Sequence, residues 1–183
     1  MNVERLRPPW SHRIHLLGSL VLGLLFLIAG ASKSLDPWSF HVTLPDYGIT
    51  GVARASVALL TPAIEVVLGL ALLLRWQTRR ASLVAALALA VFLVLIGWGW
   101  WRGSLVDCGC FGAMLKRSPG EAFAIDSAFL LVAVAVWRGA RGEAERGRFA
   151  HRWRLVVSVL AGGVSLAATI ALFLVGATGI RAT

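Results

Sequence analysis

Five stretches almost free of charge, Ile14–Ser32, Ala55–Leu74, Ala81–Trp101, Ala122–Trp137 and Leu155–Ile180, decide what this 183-residue chain can fold into. A helix that crosses a bilayer needs about 20 apolar residues at 1.5 Å rise per residue. The fourth stretch is the shortest, because Asp126 leaves only Ser127–Trp137 uncharged. Carried back to Pro119 it acquires a helix start with proline in the first turn. Only 15% of the residues are charged, against about 25% in a soluble domain. The sequence therefore predicts an all-α membrane protein: a bundle of transmembrane helices with a four-helix core and a fifth C-terminal helix. It divides into an N-terminus at 1–13, the four-helix domain at 14–137, a basic connector at 138–154, and the additional helix with a short tail at 155–183.

A net charge of +9 raises the question of nucleic acid, and the placement of the charges answers it. Twelve of the 18 basic residues fall in the N-terminus (Arg5, Arg7, Arg13), the second connection (Arg75, Arg79, Arg80) and the fourth (Arg138, Arg141, Arg146, Arg148, Arg152, Arg154). The other six, Lys33, Arg54, Arg102, Lys116, Arg117 and Arg181, fall on the opposite side with Asp36, Asp46, Asp107, Glu121 and Asp126. The positive-inside rule then puts the N-terminus in the cytoplasm of a bacterial inner membrane and the C-terminus outside. Basicity is explained by topology, with anionic lipid headgroups as partners and no nucleic acid. All eight tryptophans lie in loops or near span ends, as an aromatic belt requires. A competing reading of the N-terminus is a signal peptide, with basic Met1–Arg13, apolar Leu16–Ile28 and Ala29-Gly30-Ala31 as the cleavage site. The glycines of Gly18–Gly23 and Gly162-Gly163 read as helix-packing positions.

The strongest chemical signal is Asp107-Cys108-Gly109-Cys110-Phe111-Gly112, which holds both cysteines of the chain just after the third helix. Outside the cytoplasmic membrane the surroundings are oxidising, so two thiols one residue apart favour a cycling dithiol/disulfide pair. Their Cα atoms reach about 7 Å apart when extended, the outer limit for a bridge, so a bend at Gly109 is needed. A ring that small is strained, and strain makes the bond exchangeable. The pair under-supplies the four ligands of tetrahedral zinc, with only His41 and acids such as Asp107 on that face, although copper(I) could accept two thiolates. Asp107 would raise a neighbouring thiol pKa and Lys116 and Arg117 would lower it, so the attacking cysteine is not assigned.

Glu65 is the second signal. At the middle of a span an ionised carboxylate costs at least about 2.5 kcal/mol, so it is protonated, paired or facing a polar interior. Thr61 lies one turn earlier on the same face, and Pro62 frees the carbonyl of Ala58, which predicts a kink with a local polar cluster. An interhelical hydrogen-bond clamp and a proton-relay or ligand-binding role are both open for this carboxyl. The third signal is the outer loop Lys33–Gly51, read as a helix end and a turn with Trp38 and Phe40 at the interface, followed by His41, Asp46 and Tyr47. This loop shares a face with the cysteine segment.

Three motifs resemble the MauE branch of the DoxX-like membrane proteins. They are Ala29-Gly30-Ala31-Ser32-Lys33 running into Asp36-Pro37 and Phe40, the Glu65-Val66-Val67-Leu68-Gly69-Leu70 segment, and Cys108-Gly109-Cys110-Phe111-Gly112. The resemblance covers about Ile14 to Trp137 and leaves the fifth helix outside it. It implies a part in disulfide formation or maturation of a thioredoxin-like or cysteine-rich extracytoplasmic protein, as proposed for the methylamine dehydrogenase small subunit. Cys108 and Cys110 would carry the chemistry, with Gly109, Phe111, Gly112, Asp107, Lys33 and Glu65 as accessory motif residues. The neighbouring DoxX and DoxD groups imply thiosulfate and quinone chemistry, which makes a quinone the possible cofactor. A non-redox assembly factor, transporter subunit or copper-handling protein is the other class left open.

Overall fold

The computed structural model describes residues 9–103, 118–140 and 148–181. In chain order they form α1 (Pro9–Leu35), α2 (Pro37–Thr43), a 3-10 turn (Leu44–Tyr47), α3 (Gly51–Leu73), α4 (Thr78–Trp101), α5 (Pro119–Gly139) and α6 (Arg148–Arg181). Five of these helices are long and apolar enough to cross a membrane, and the short α2 is the sixth. The fourth span does begin at Pro119. Ser118 accepts from the Glu121 backbone N–H while the Glu121 carboxylate accepts from the Ser118 N–H, a reciprocal cap that satisfies two otherwise orphaned donors. The fifth span is one long helix that reaches back to Arg148, inside the stretch expected as connector.

The four-helix core is α1 against α3 and α4 against α5, closed by contacts of α1 with α5 and of α3 with α4. Leu22, Phe26, Leu68, Leu72, Ala85, Leu89, Ala133 and Val136 form its apolar centre. The additional helix is no appendage, because α6 packs along α3 and also meets α1 and α2. In the signal-peptide reading, cleavage after Ala31 would remove Leu22 and Phe26 from this core.

Glycine sets how closely α1 and α3 approach. A Cβ on Gly69 would lie 2.8 Å from both the Gly23 carbonyl oxygen and the Leu27 backbone nitrogen, and one on Gly30 would lie 2.8 Å from the Pro62 carbonyl. Backbone atoms cannot rotate away, so these positions admit only glycine. Gly162 likewise faces Val67, whereas Gly163 faces open space and is not the packing position its sequence suggested. Gly69→Val is therefore expected to lower stability by about 3 kcal/mol, the upper end for overpacking. Thermal unfolding in detergent checks this, with Gly163→Ala as the control that should leave the midpoint unchanged.

Between α1 and α3 the chain forms a cap over one end of the bundle. Asp36 starts α2 by accepting from the Ser39 N–H at 3.0 Å, with Pro37 at the first helical position. Arg54 of α3 donates to the His41 carbonyl at 2.8 Å, satisfying an acceptor in the last turn of α2. Gly48, at φ 82°, ends the 3-10 turn in the left-handed conformation that suits glycine. The helix end expected at the start of Lys33–Gly51 is there, with Lys33 in the last turn of α1, but a helix follows where a turn was expected.

Candidate functional site

The buried polar residues of the bundle converge on one place. Along α1 the buried positions Leu22, Phe26, Ala29 and Lys33 follow one another at spacings of four, three and four. Along α3, Ala58, Pro62, Glu65, Gly69 and Leu72 do the same. Such stripes line the seams of a helix bundle, so the last member of one and the middle member of the other are held inside by the packing of their apolar neighbours. Lys33 Nζ donates to both carboxylate oxygens of Glu65, at 2.8 and 2.9 Å. Lys33 is 1% exposed and Glu65 3%. Of the states open to Glu65 from sequence, the paired one holds.

The ammonium is enclosed further by aromatic faces, with the Phe40 ring centroid at 5.4 Å and that of Phe92 at 5.8 Å. Both lie within cation–π range. Phe40 is therefore buried over the ion pair rather than set at the membrane interface as its sequence suggested. Asp126 of α5, 7% exposed, completes the group. The sequence expects Asp126 and Lys33 among the charges of the less basic side, and the structure corrects both to buried bundle positions. Removing Lys33 takes the lysine and arginine count to twelve against five, so the asymmetry sharpens, and Asp126 does not enter that count. The buried charged cluster that the bundle holds is drawn from three helices.

Lys33, Glu65 and Asp126 line a cavity of about 30 Å³ together with Leu25, Phe26, Ala29, Leu89 and Phe92. That is room for one water molecule and far less than a quinone ring requires. Helix rise puts this cavity about 10 Å below the start of α5, counted from Pro119 to Asp126, and about 14 Å below the end of α4, counted from Phe92 to Trp101.

Cys108, Cys110, Asp107, Gly109, Phe111 and Gly112 lie outside the described residues. Their flanks are described, and they meet the cap: Tyr47 packs against Ile96 near the end of α4 and Ala122 near the start of α5. Trp98 and Trp101 stack edge to face at 5.6 Å on the last turns of α4, and Arg102 lies over the Trp98 ring at 5.9 Å. On the other side of the cap, His41 stacks on Trp38 at 5.3 Å and meets Phe173 of α6 edge-on at 5.1 Å. Burial, and then the nearby Arg54 charge, hold the His41 pKa below its usual value, so this imidazole is neutral at pH 7.

Sequence reasoning missed that Lys33 and Glu65 are partners. The signal was present in the spacing, since both continue the buried stripes of their helices without a break. Asp126 was likewise legible as the residue four after buried Ala122.

The comparisons with known proteins add a family to this geometry. Nothing among curated proteins or solved structures matches the chain. Residues 11–140, a range that ends just after α5 and leaves out α6, match the family model of the methylamine utilisation protein MauE. With five membrane-length helices and a family match over most of its length, the chain is a multi-pass membrane protein that belongs to the MauE family.

Proposed function

We propose that this MauE-family protein is a membrane thiol-disulfide redox protein that assists disulfide formation or maturation of an extracytoplasmic partner. The observation that carries the reading is the Cys108-Gly109-Cys110 pair in the segment between α4 and α5, whose flanks pack through Tyr47 onto the α2 cap. The proposed orientation has the N-terminus in the cytoplasm and the cysteine segment outside, on the strength of the lysine and arginine asymmetry. There the pair, oxidised, accepts two electrons and two protons from a partner dithiol. The partner gains a disulfide, and Cys108 and Cys110 become thiols. A membrane quinone of the kind associated with DoxX-like proteins is the acceptor that would reoxidise them, becoming a quinol. Its ring exceeds the interior cavity, so it would approach from lipid at the outer helix ends.

Single-cysteine variants test both the chemistry and the orientation. Cys110→Ala is expected to accumulate a mixed disulfide, formed when the lone Cys108 thiolate attacks the disulfide of a matured partner and releases one partner thiol, visible as a reductant-sensitive adduct, or Cys108→Ala the same at Cys110. A maleimide that cannot cross membranes should label the remaining thiol in intact spheroplasts. Adducts in neither variant would favour a non-redox assembly factor, and labelling only after lysis would invert the topology.

A further inference from the structure

We propose that α2 is a lid over the Lys33–Glu65 pair and that α6 holds it shut through Phe173. The inference is independent of the thiol reading and rests on where the pair sits. Lys33 is two residues from the end of α1, about 3 Å of helix rise, yet it is 1% exposed. Beyond that end lies the cap. Phe40 covers the ammonium from α2 and packs with Leu44 of the 3-10 turn and Ala58 of α3. Pro37 and Phe40 are the buried side chains of α2. Seven residues are too few for a helix to persist by itself in water, so the closed position depends on what α2 touches.

One position on from Pro37 and Phe40, Trp38 and His41 share a face turned about 100° around the helix, and that face meets α6. Phe173 lies 5.7 Å from the Trp38 ring and 5.1 Å from the His41 ring. α6 is itself anchored without α2. Gly162 packs against Val67 of α3, and Ser165 meets Ser34, the neighbour of Lys33 on α1, at 2.8 Å. The Ser34 hydroxyl gives its one proton to the Gly30 carbonyl, so Ser165 is the donor in that bond. Phe173 follows Ser165 by eight residues, about 12 Å of helix, and so stands as a fixed wall behind α2. Arg54, which donates to the His41 carbonyl, ties the same turn to α3. Outward movement of α2 breaks these contacts together and opens the ammonium to water. A helix outside the family match thus controls whether the aqueous phase reaches a charged pair inside the bundle.

Acylation of Lys33 by a sulfonated, water-soluble N-hydroxysuccinimide ester tests this on the full-length protein in detergent. The chain has two lysines, Lys33 and Lys116, so Lys116→Arg leaves Lys33 as the sole side-chain amine, and peptide mass spectrometry separates it from the N-terminus. In that background Lys33 is expected to react far more slowly than a free lysine. Adding Phe173→Ala should raise the rate about tenfold, since the closed state loses two ring contacts, and Phe173→Tyr should restore the slow rate. Leu174→Ala, on the exposed face of α6, should change nothing. Gly69→Val loosens the bundle away from the cap, so well below its unfolding temperature it too should leave the rate unchanged. Lys33 reacting like a free lysine in the background overturns the lid. A Phe173→Ala rate equal to that of Leu174→Ala overturns the latch, and one matched by Gly69→Val overturns both, because the reagent then enters by general loosening.

Discussion

Lys33→Met is expected to destabilise the bundle by about 3 kcal/mol, with most of the loss recovered in the double variant Lys33→Met/Glu65→Met. Removing one partner of a buried ion pair costs about 3–5 kcal/mol, because the other charge is left in a medium that cannot solvate it. The loss should fall at the lower end of that range, since Glu65 can take a proton and so avoid remaining as a bare carboxylate. The cation–π contacts of Lys33 with Phe40 and Phe92 disappear at the same time, but methionine keeps much of the lysine stem's volume and makes its own contacts with the rings. The double variant leaves neither charge to be solvated. A double-mutant cycle of thermal and denaturant unfolding in detergent measures the coupling between the two positions. Additive losses, with the double variant worse than either single one, would show that the pair contributes through packing and not through charge.

The bundle was legible because the property that defines it, runs of apolar residues of membrane length, is local. Pro119 marked the start of α5 by the same kind of local chemistry, while the Ser118–Glu121 cap beside it went unread. Lys33 was misread for the opposite reason. A lysine three residues before Asp36-Pro37 looks like the polar end of a span, and only the arrival of Glu65 from a helix 32 positions away makes its burial favourable. Asp36-Pro37 itself carried an unread signal, because an N-cap acid followed by proline starts a helix as readily as it makes a turn. The close approach of α1 and α3 was only half visible, with Gly23 read as a packing position lacking a partner and Gly69 not read for packing at all. Which glycine meets which backbone depends on the antiparallel register of two helices, and no single-chain pattern states it. Gly163 shows the limit from the other side: one position after Gly162, it points 100° away around the helix and touches nothing.

Cys108→Ala and Cys110→Ala are each expected to reduce maturation of the partner's disulfides to the level of cells without the protein. The chain holds two cysteines, so either substitution leaves no pair able to close and no internal thiol to replace it. A single thiol can still attack a partner disulfide, but it cannot resolve the mixed disulfide that results. The loss should therefore be complete in each variant and no deeper in the double variant, since the two residues act as a unit. Stability separates this effect from that at Lys33. A ring closed over one residue restricts the unfolded chain very little, so the cysteine variants should unfold at the wild-type temperature. Lys33→Met should fail in the opposite pattern, with a lowered unfolding temperature and activity lost in proportion to the protein that remains folded. Scoring disulfides in the matured partner by gel shift, alongside the amount of folded membrane protein, tells the two apart. Normal maturation in Cys108→Ala would remove the thiol pair from the mechanism and leave the protein as a membrane assembly factor built around its buried ion pair.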